Sequence, residues 1–240
     1  MPAAVGLDFG GDFKCLLLQG FMILPLQKPL VIADPETTEA LRARLLAPCR
    51  PLDRPCTHCG AQPTIGHEDT CRAASRRWIS RHNQAVRAFT RALSCRTDLQ
   101  VETEPRVEPS EPAEPAEPTE PTARRADFSV LLGSSRYYYD IQIVAVNKDS
   151  ARDDVFATLS EAAAEKRRKY RALGPFFKPL IFSAGGLMEK ETAQAYKALQ
   201  RLLNPAAVRW LDSSLGLILT KTRAFSAASI ARDTPARRAL

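Results

Sequence analysis

The chain has 240 residues, 45% of them hydrophobic, with 34 Lys and Arg against 27 Asp and Glu. This excludes a chain too polar to build a core and admits one large domain or two small ones. The net charge of +7 hides an asymmetry: residues 101–122 hold seven Glu and one Arg, leaving +13 on the rest, a balance that suits a phosphate polymer, with a solvated basic surface as the alternative.

Residues 1–50 begin without a basic leader, since Asp8 and Asp12 precede the apolar run. The run over 15–33 is broken by Gln19, Pro25, Gln27, Lys28 and Pro29, a poor membrane span. An intracellular protein, nuclear or cytoplasmic and not secreted, is expected, and in a reducing setting clustered cysteines bind metal more often than they pair. Asp34-Pro35-Glu36 signals a helix start, with Leu41, Leu45 and Leu46 as its apolar face. The segment carries no visible chemistry and reads as the remnant of a longer upstream region.

Residues 51–96 hold four of the six cysteines and all three histidines. Cys56-x2-Cys59-x7-His67-x3-Cys71 supplies three thiolates and one imidazole, a set that fills a tetrahedral site for structural zinc. Gly60 frees the backbone after the second ligand, and His67 and Cys71 are one helical turn apart. His58 lies between two cysteines and is expected to point away. Cys15, Cys49 and Cys95 lack partner spacing and read as small core residues. A helix over about 72–94 follows, with Trp78, His82, Val86, Phe89 and Leu93 forming one stripe. His82 on that stripe reads as a hydrogen-bonded packing residue. Arg72, Arg76, Arg77, Arg81, Arg87 and Arg91 surround it, available to phosphate or to water.

Residues 97–122 form a linker expected to be disordered, with Glu-Pro at 108, 111, 114, 117 and 120. Proline at every third position favours an extended polyproline-type chain, long enough to separate its neighbours by roughly 60 Å or less.

Residues 123–240 alternate strand and helix patterns, so the chain as a whole reads as α/β or α+β: a small zinc-bound helical module linked to a mixed-sheet domain. Asp127 to Val144 reads as a hairpin turning at Gly133-Ser134. In that register partners sum to 267 and Asp127 faces Asp140, two carboxylates that repel unless a proton or a divalent cation intervenes. Gln142 shares the face of Asp140. The next helix, about 157–173, aligns Leu159, Ala163, Lys166, Tyr170 and Leu173, which turns Lys166 inward. The same spacing serves a lysine reaching solvent, and Lys169 takes its place if the helix is rotated slightly. Phe177–Phe182 reads as a buried strand, Gly185-Gly186 as a turn, and helices over about 189–203 and 206–230 complete the domain, with Leu187, Ala195, Leu199, Leu202 and Leu203 as core.

Asp127, the strand Asp140-Ile-Gln142-Ile-Val144 and Glu165-Lys166-Arg-Arg-Lys169-Tyr170 together resemble the restriction-like endonuclease of site-specific non-LTR (LINE-type) retrotransposons, a member of the PD-(D/E)xK superfamily. The Cys56–Cys71 cluster followed by Arg81-His82-Asn83 is similar to the CCHC zinc-knuckle segment just upstream of that nuclease. The likeness spans about residues 54–200. It implies that Asp127 and Asp140 bind catalytic Mg²⁺ or Mn²⁺ and that Lys166 is the catalytic lysine, moved from strand to helix beside Lys169 and Tyr170, with Gln142 left in its usual place. It also implies a DNA substrate and element RNA as a further partner. The family's Pro-Asp is Ala126-Asp127 here, the Glu-Pro linker is long and acidic, and no Tyr/Phe-x-Asp-Asp reverse-transcriptase signature is present. The expected function is a DNA-nicking fragment without the polymerase. The alternative is an inactive zinc-containing remnant that binds nucleic acid.

Overall fold

A computed structural model describes residues 34–45, 47–49, 53–72, 75–107, 124–147 and 154–231. Cys15, Leu46 and the Glu-Pro repeats lie outside these residues. The described chain is mixed α/β and runs α1 (Asp34–Arg44), a 3-10 turn at His67–Asp69, α2 (Ser75–Leu93), β1 (Gln100–Thr103), β2 (Arg106–Val107), β3 (Arg124–Arg125), β4 (Phe128–Leu132), β5 (Ser135–Val144), α3 (Val155–Lys169), β6 (Phe177–Ser183), α4 (Lys190–Arg201) and α5 (Pro205–Ala231).

The main sheet has the order β1-β4-β5-β6, antiparallel except for the parallel β5–β6 pair, and β2 with β3 forms a separate two-stranded ribbon. The β4–β5 hairpin has the expected register: Phe128 faces Tyr139 and Leu132 faces Ser135. Gly133 turns it with φ +60, a value that L side chains rarely adopt. Strands β1 and β2 come from residues 100–107, which the sequence assigned to a disordered linker. Val101 opposite Val130 and buried Val107 give that stretch apolar anchors that the repeats beyond it lack.

Alternation along β5 sorts the two faces. Phe128, Val130, Tyr139, Ile141, Leu180 and Phe182 point to one side, where they form a single core with Val86, Phe89 and Leu93 of α2, Leu199 of α4 and Leu211 of α5. Phe89 is its centre, fully buried and stacked on Phe128 at 5.6 Å with Tyr196 edge-on at 5.7 Å. Helix α2, assigned from sequence to the Cys/His module, thus lends its apolar stripe to the sheet. On the other face α3 covers Val144 and Ile181 through Leu159 and Ala163, while Tyr170 stacks on Phe177 at 4.5 Å.

The free side of β6 is closed by side chain and loop. The Thr192 hydroxyl accepts the Ile181 N–H at 2.7 Å, and the Glu189 N–H donates to the Ile181 carbonyl at 3.1 Å.

Two packing expectations are corrected. Leu41 and Leu45 do not form the buried face of α1; both are exposed, and Glu36 is buried instead. That helix is held by charge, with Glu36 near Lys221 at 3.6 Å and Arg42 on Glu68 at 2.8 Å. Cys95 is exposed at the end of α2, its thiol donating to the Arg91 carbonyl, so it is not a core residue. Among the described residues no helix is long and apolar enough to cross a membrane.

Candidate metal centre and carboxylate site

Cys56, Cys59, His67 and Cys71 converge, their ligand atoms all within 4.8 Å of one another, and could hold a metal ion. Local backbone bonds build the cradle. The Gly60 N–H donates to the Cys56 carbonyl at 2.7 Å, closing the knuckle, and the Cys71 N–H donates to the His67 carbonyl at 2.8 Å, completing the turn between the second pair. Cys59 Sγ and His67 Nε2 lie 3.5 Å apart, the separation expected of two ligands on one tetrahedral ion with bonds of about 2.0–2.3 Å. Burial opposes ionisation of the Cys56 thiol, but the N–H groups of His58 and Cys59 and the Cys59 and Cys71 thiols outweigh it and hold the group below its ordinary value. His58 itself is exposed.

Gly66 admits the turn for two reasons. Its φ of +81 is left-handed, and a Cβ there would meet Asn147 Nδ2 at 2.7 Å. Cys49 packs against the cluster, and burial pushes its thiol up to about 12. Just beyond His67, Glu68 and Asp69 are buried and tied to other helices: Glu68 to Arg42, and Asp69 to Arg223 of α5 at 2.8 Å. Burial raises the Glu68 carboxyl, but the Arg42 hydrogen bond and charge outweigh it and the net shift is downward. For Asp69 burial wins over the pull of Arg223, and its carboxyl lies above the ordinary range.

The second cluster lies where β4 begins. Beyond Tyr139, strand β5 has no β4 partner, and Asp127 sits in a bend one residue before the ladder. Its side chain replaces the missing strand: Oδ2 accepts the Ile141 N–H at 2.5 Å, and Oδ1 lies 3.1 Å from His82 Nε2 of α2. Asp127 and Asp140 therefore do not face each other as a ladder pair; Asp127 reaches the backbone just past Asp140. Asp140 is buried, with Lys166 Nζ 2.5 Å from Oδ1 and the Tyr170 hydroxyl 2.6 Å from Oδ2. That hydroxyl is also 2.6 Å from the Arg125 carbonyl, so its one proton serves two acceptors. Burial first, then the Asp140 hydrogen bond and charge, raises the phenol far above its usual value, which makes Tyr170 a donor and not a base.

The structure thus gathers Asp127, Asp140, Lys166 and Tyr170. Gln142 follows on the same strand face as Asp140, and among the described residues its buried Oε1 has no hydrogen-bond donor. Lys169 stands apart: its amine lies 4.8 Å from the centre of the Tyr170 ring. His82 is the residue that sequence reasoning left among packing groups. The Asp127 hydrogen bond, against the effect of burial, raises its imidazole above the ordinary value, and the charges of Asp127 and Asp140 add to this. Its place on the α2 stripe, one turn before Val86, was the available signal.

Among the described residues the Cys/His cluster is the one grouping of three or more His, Cys, Asp or Glu side chains that could hold a metal ion. At the carboxylate site each acid is engaged by a cationic or hydrogen-bonding partner from the chain itself. No protein-family model matches the chain, and no curated protein matches it.

Proposed function

We propose that the chain is a metal-dependent nuclease that nicks DNA, of the restriction-like kind carried by LINE-type retrotransposons, with a structural zinc in its Cys/His cluster. The observation that carries this reading is the junction of a helix lysine with a buried strand carboxylate, Lys166 to Asp140, beside a second carboxylate held on the next backbone N–H. Three Cys and one His suit zinc. Asp127, Asp140 and the donorless Gln142 Oε1 are hard oxygen groups that suit Mg²⁺ or Mn²⁺, and a carboxylate oxygen already in one hydrogen bond keeps a lone pair for a cation. When bound, such an ion polarises the scissile phosphate and lowers the pKa of a bound water.

The chain's own groups do the rest. Asp127 and Asp140 orient the cation. Lys166 offsets charge gathering on the phosphate oxygens. Tyr170 holds Asp140 in place by donating to Oδ2. Exposed Arg168, Lys169 and Arg171 at the end of α3 supply backbone contacts for DNA and element RNA.

A second reading, an inactive module that binds nucleic acid without cutting, is favoured by the full engagement of both carboxylates. Plasmid nicking in Mg²⁺ separates the two. Loss of nicking in Asp140→Ala supports the nuclease, equal nicking by wild type and variant removes this active site, and salt-sensitive DNA binding without nicking selects the module.

A further inference from the structure

We propose that His82 is a positioning residue that fixes the Asp127 carboxylate for a divalent cation, so that the helix following the Cys/His cluster completes the carboxylate site. The inference rests on the reading of Asp127 and Asp140 as a cation site.

Asp127 sits in a bend one residue before the β4–β5 ladder; its N–H donates to the Tyr139 carbonyl and its carbonyl accepts the Glu104 N–H, both at 3.0 Å, but these backbone bonds do not set its side chain. Two contacts do. One is the Ile141 N–H on Oδ2, the other the His82 ring on Oδ1, 3.1 Å away. With only the first, the carboxylate can pivot about that bond; with both, each oxygen is fixed and the remaining lone pairs keep one direction.

The ring itself is held by the helix that bears it. Val86, Phe89 and Leu93 lock the rotation of α2 against the sheet. Arg77 donates to Ser229 of α5 at 2.7 Å, and buried Arg81, next to His82, lies in the field of Asp69. Hydrogen-bond partners of metal-binding carboxylates typically change cation affinity 10–100-fold when removed.

The test is Mn²⁺ binding to the full-length, zinc-loaded chain, read from the free Mn²⁺ electron paramagnetic resonance signal, with melting temperature and zinc content measured on the same samples. Wild type, Asp140→Asn, His82→Ala and His82→Gln are compared, because a glutamine amide can put its N–H where the imidazole Nε2 lies. The expected result is a roughly 10–100-fold weaker affinity in His82→Ala and recovery to within about 3-fold in His82→Gln, with zinc content unchanged. Affinity in His82→Ala equal to or tighter than wild type would overturn the inference while leaving the cation site standing. Loss of binding in both His82 variants that follows a common fall in melting temperature would overturn it too, by reducing the ring to a fold contact. No Mn²⁺ binding by wild type, or wild-type affinity in Asp140→Asn, would remove the cation site and this role together.

Discussion

Replacing Lys166 by methionine isolates the charge at the centre of the site. Methionine keeps most of the aliphatic stem and deletes the amine facing Asp140 at 2.5 Å. The Asp140 side chain is 6% exposed, so the variant strands a nearly buried carboxylate with the Tyr170 hydroxyl as its remaining partner among the described residues. Breaking a buried pair from one side costs about 3–5 kcal/mol. Lys166 is 20% exposed and part of its charge is already solvated, which brings the expected loss to roughly 2–4 kcal/mol. Urea unfolding at pH 7 measures it. Because the penalty comes from the stranded acid, Lys166→Met with Asp140→Asn should cost less than the two single variants summed, with a coupling of about 1–3 kcal/mol. A Lys166→Met protein within about 0.5 kcal/mol of wild type, or strict additivity in the double variant, would refute the buried pair.

Phe89→Ala empties the centre of the shared core and should destabilise by about 3–5 kcal/mol, with Trp78 and Trp210 fluorescence and far-ultraviolet circular dichroism falling in one transition; separate transitions would show that α2 folds apart from the sheet. In metal-free protein the His82 ring should titrate above the ordinary histidine range by NMR and return toward it in Asp127→Asn. The sign follows from the raised value: the His82–Asp127 contribution to stability is complete below the unfolded-state pKa of about 6.5 and is lost as pH rises through the higher folded value. Removing the zinc proposed for the Cys/His cluster, by chelation or by Cys59→Ser, should speed tryptic cleavage after Lys221 and Arg223, since Cys56 and Cys71 pack on Ile230 of α5 and Arg223 is tied to Asp69. Unchanged cleavage would sever the cluster from that helix.

The hairpin was legible because Gly133-Ser134 fixes the turn, and a two-residue turn fixes the register. The spacing of Leu159, Ala163 and Tyr170 put Lys166 on their stripe but left open a lysine reaching solvent, whereas the four side chains that could hold a metal ion were legible from their spacing. What escaped was long-range. The His82–Asp127 contact joins residues 45 apart across a helix and a strand end, and no local pattern encodes it. The exposure of Leu41 and Leu45 escaped for a related reason: hydrophobic periodicity selects the apolar face of α1, whereas buried acids at Glu36 and Glu68 decide which side docks. Strand β1 was hidden because its short pattern sits beside a polar repeat and is fixed only by pairing with β4.

The capping of β6 by Thr192 and Glu189 limits how this molecule can associate through its backbone. One flank of the sheet has no N–H or C=O to offer at Ile181, so added strands meet the other flank, β1, which is four residues long and has no outer partner among the described residues. Two chains that joined there would each use up the open flank of the main sheet, and among the described residues that sheet would grow no further than a pair.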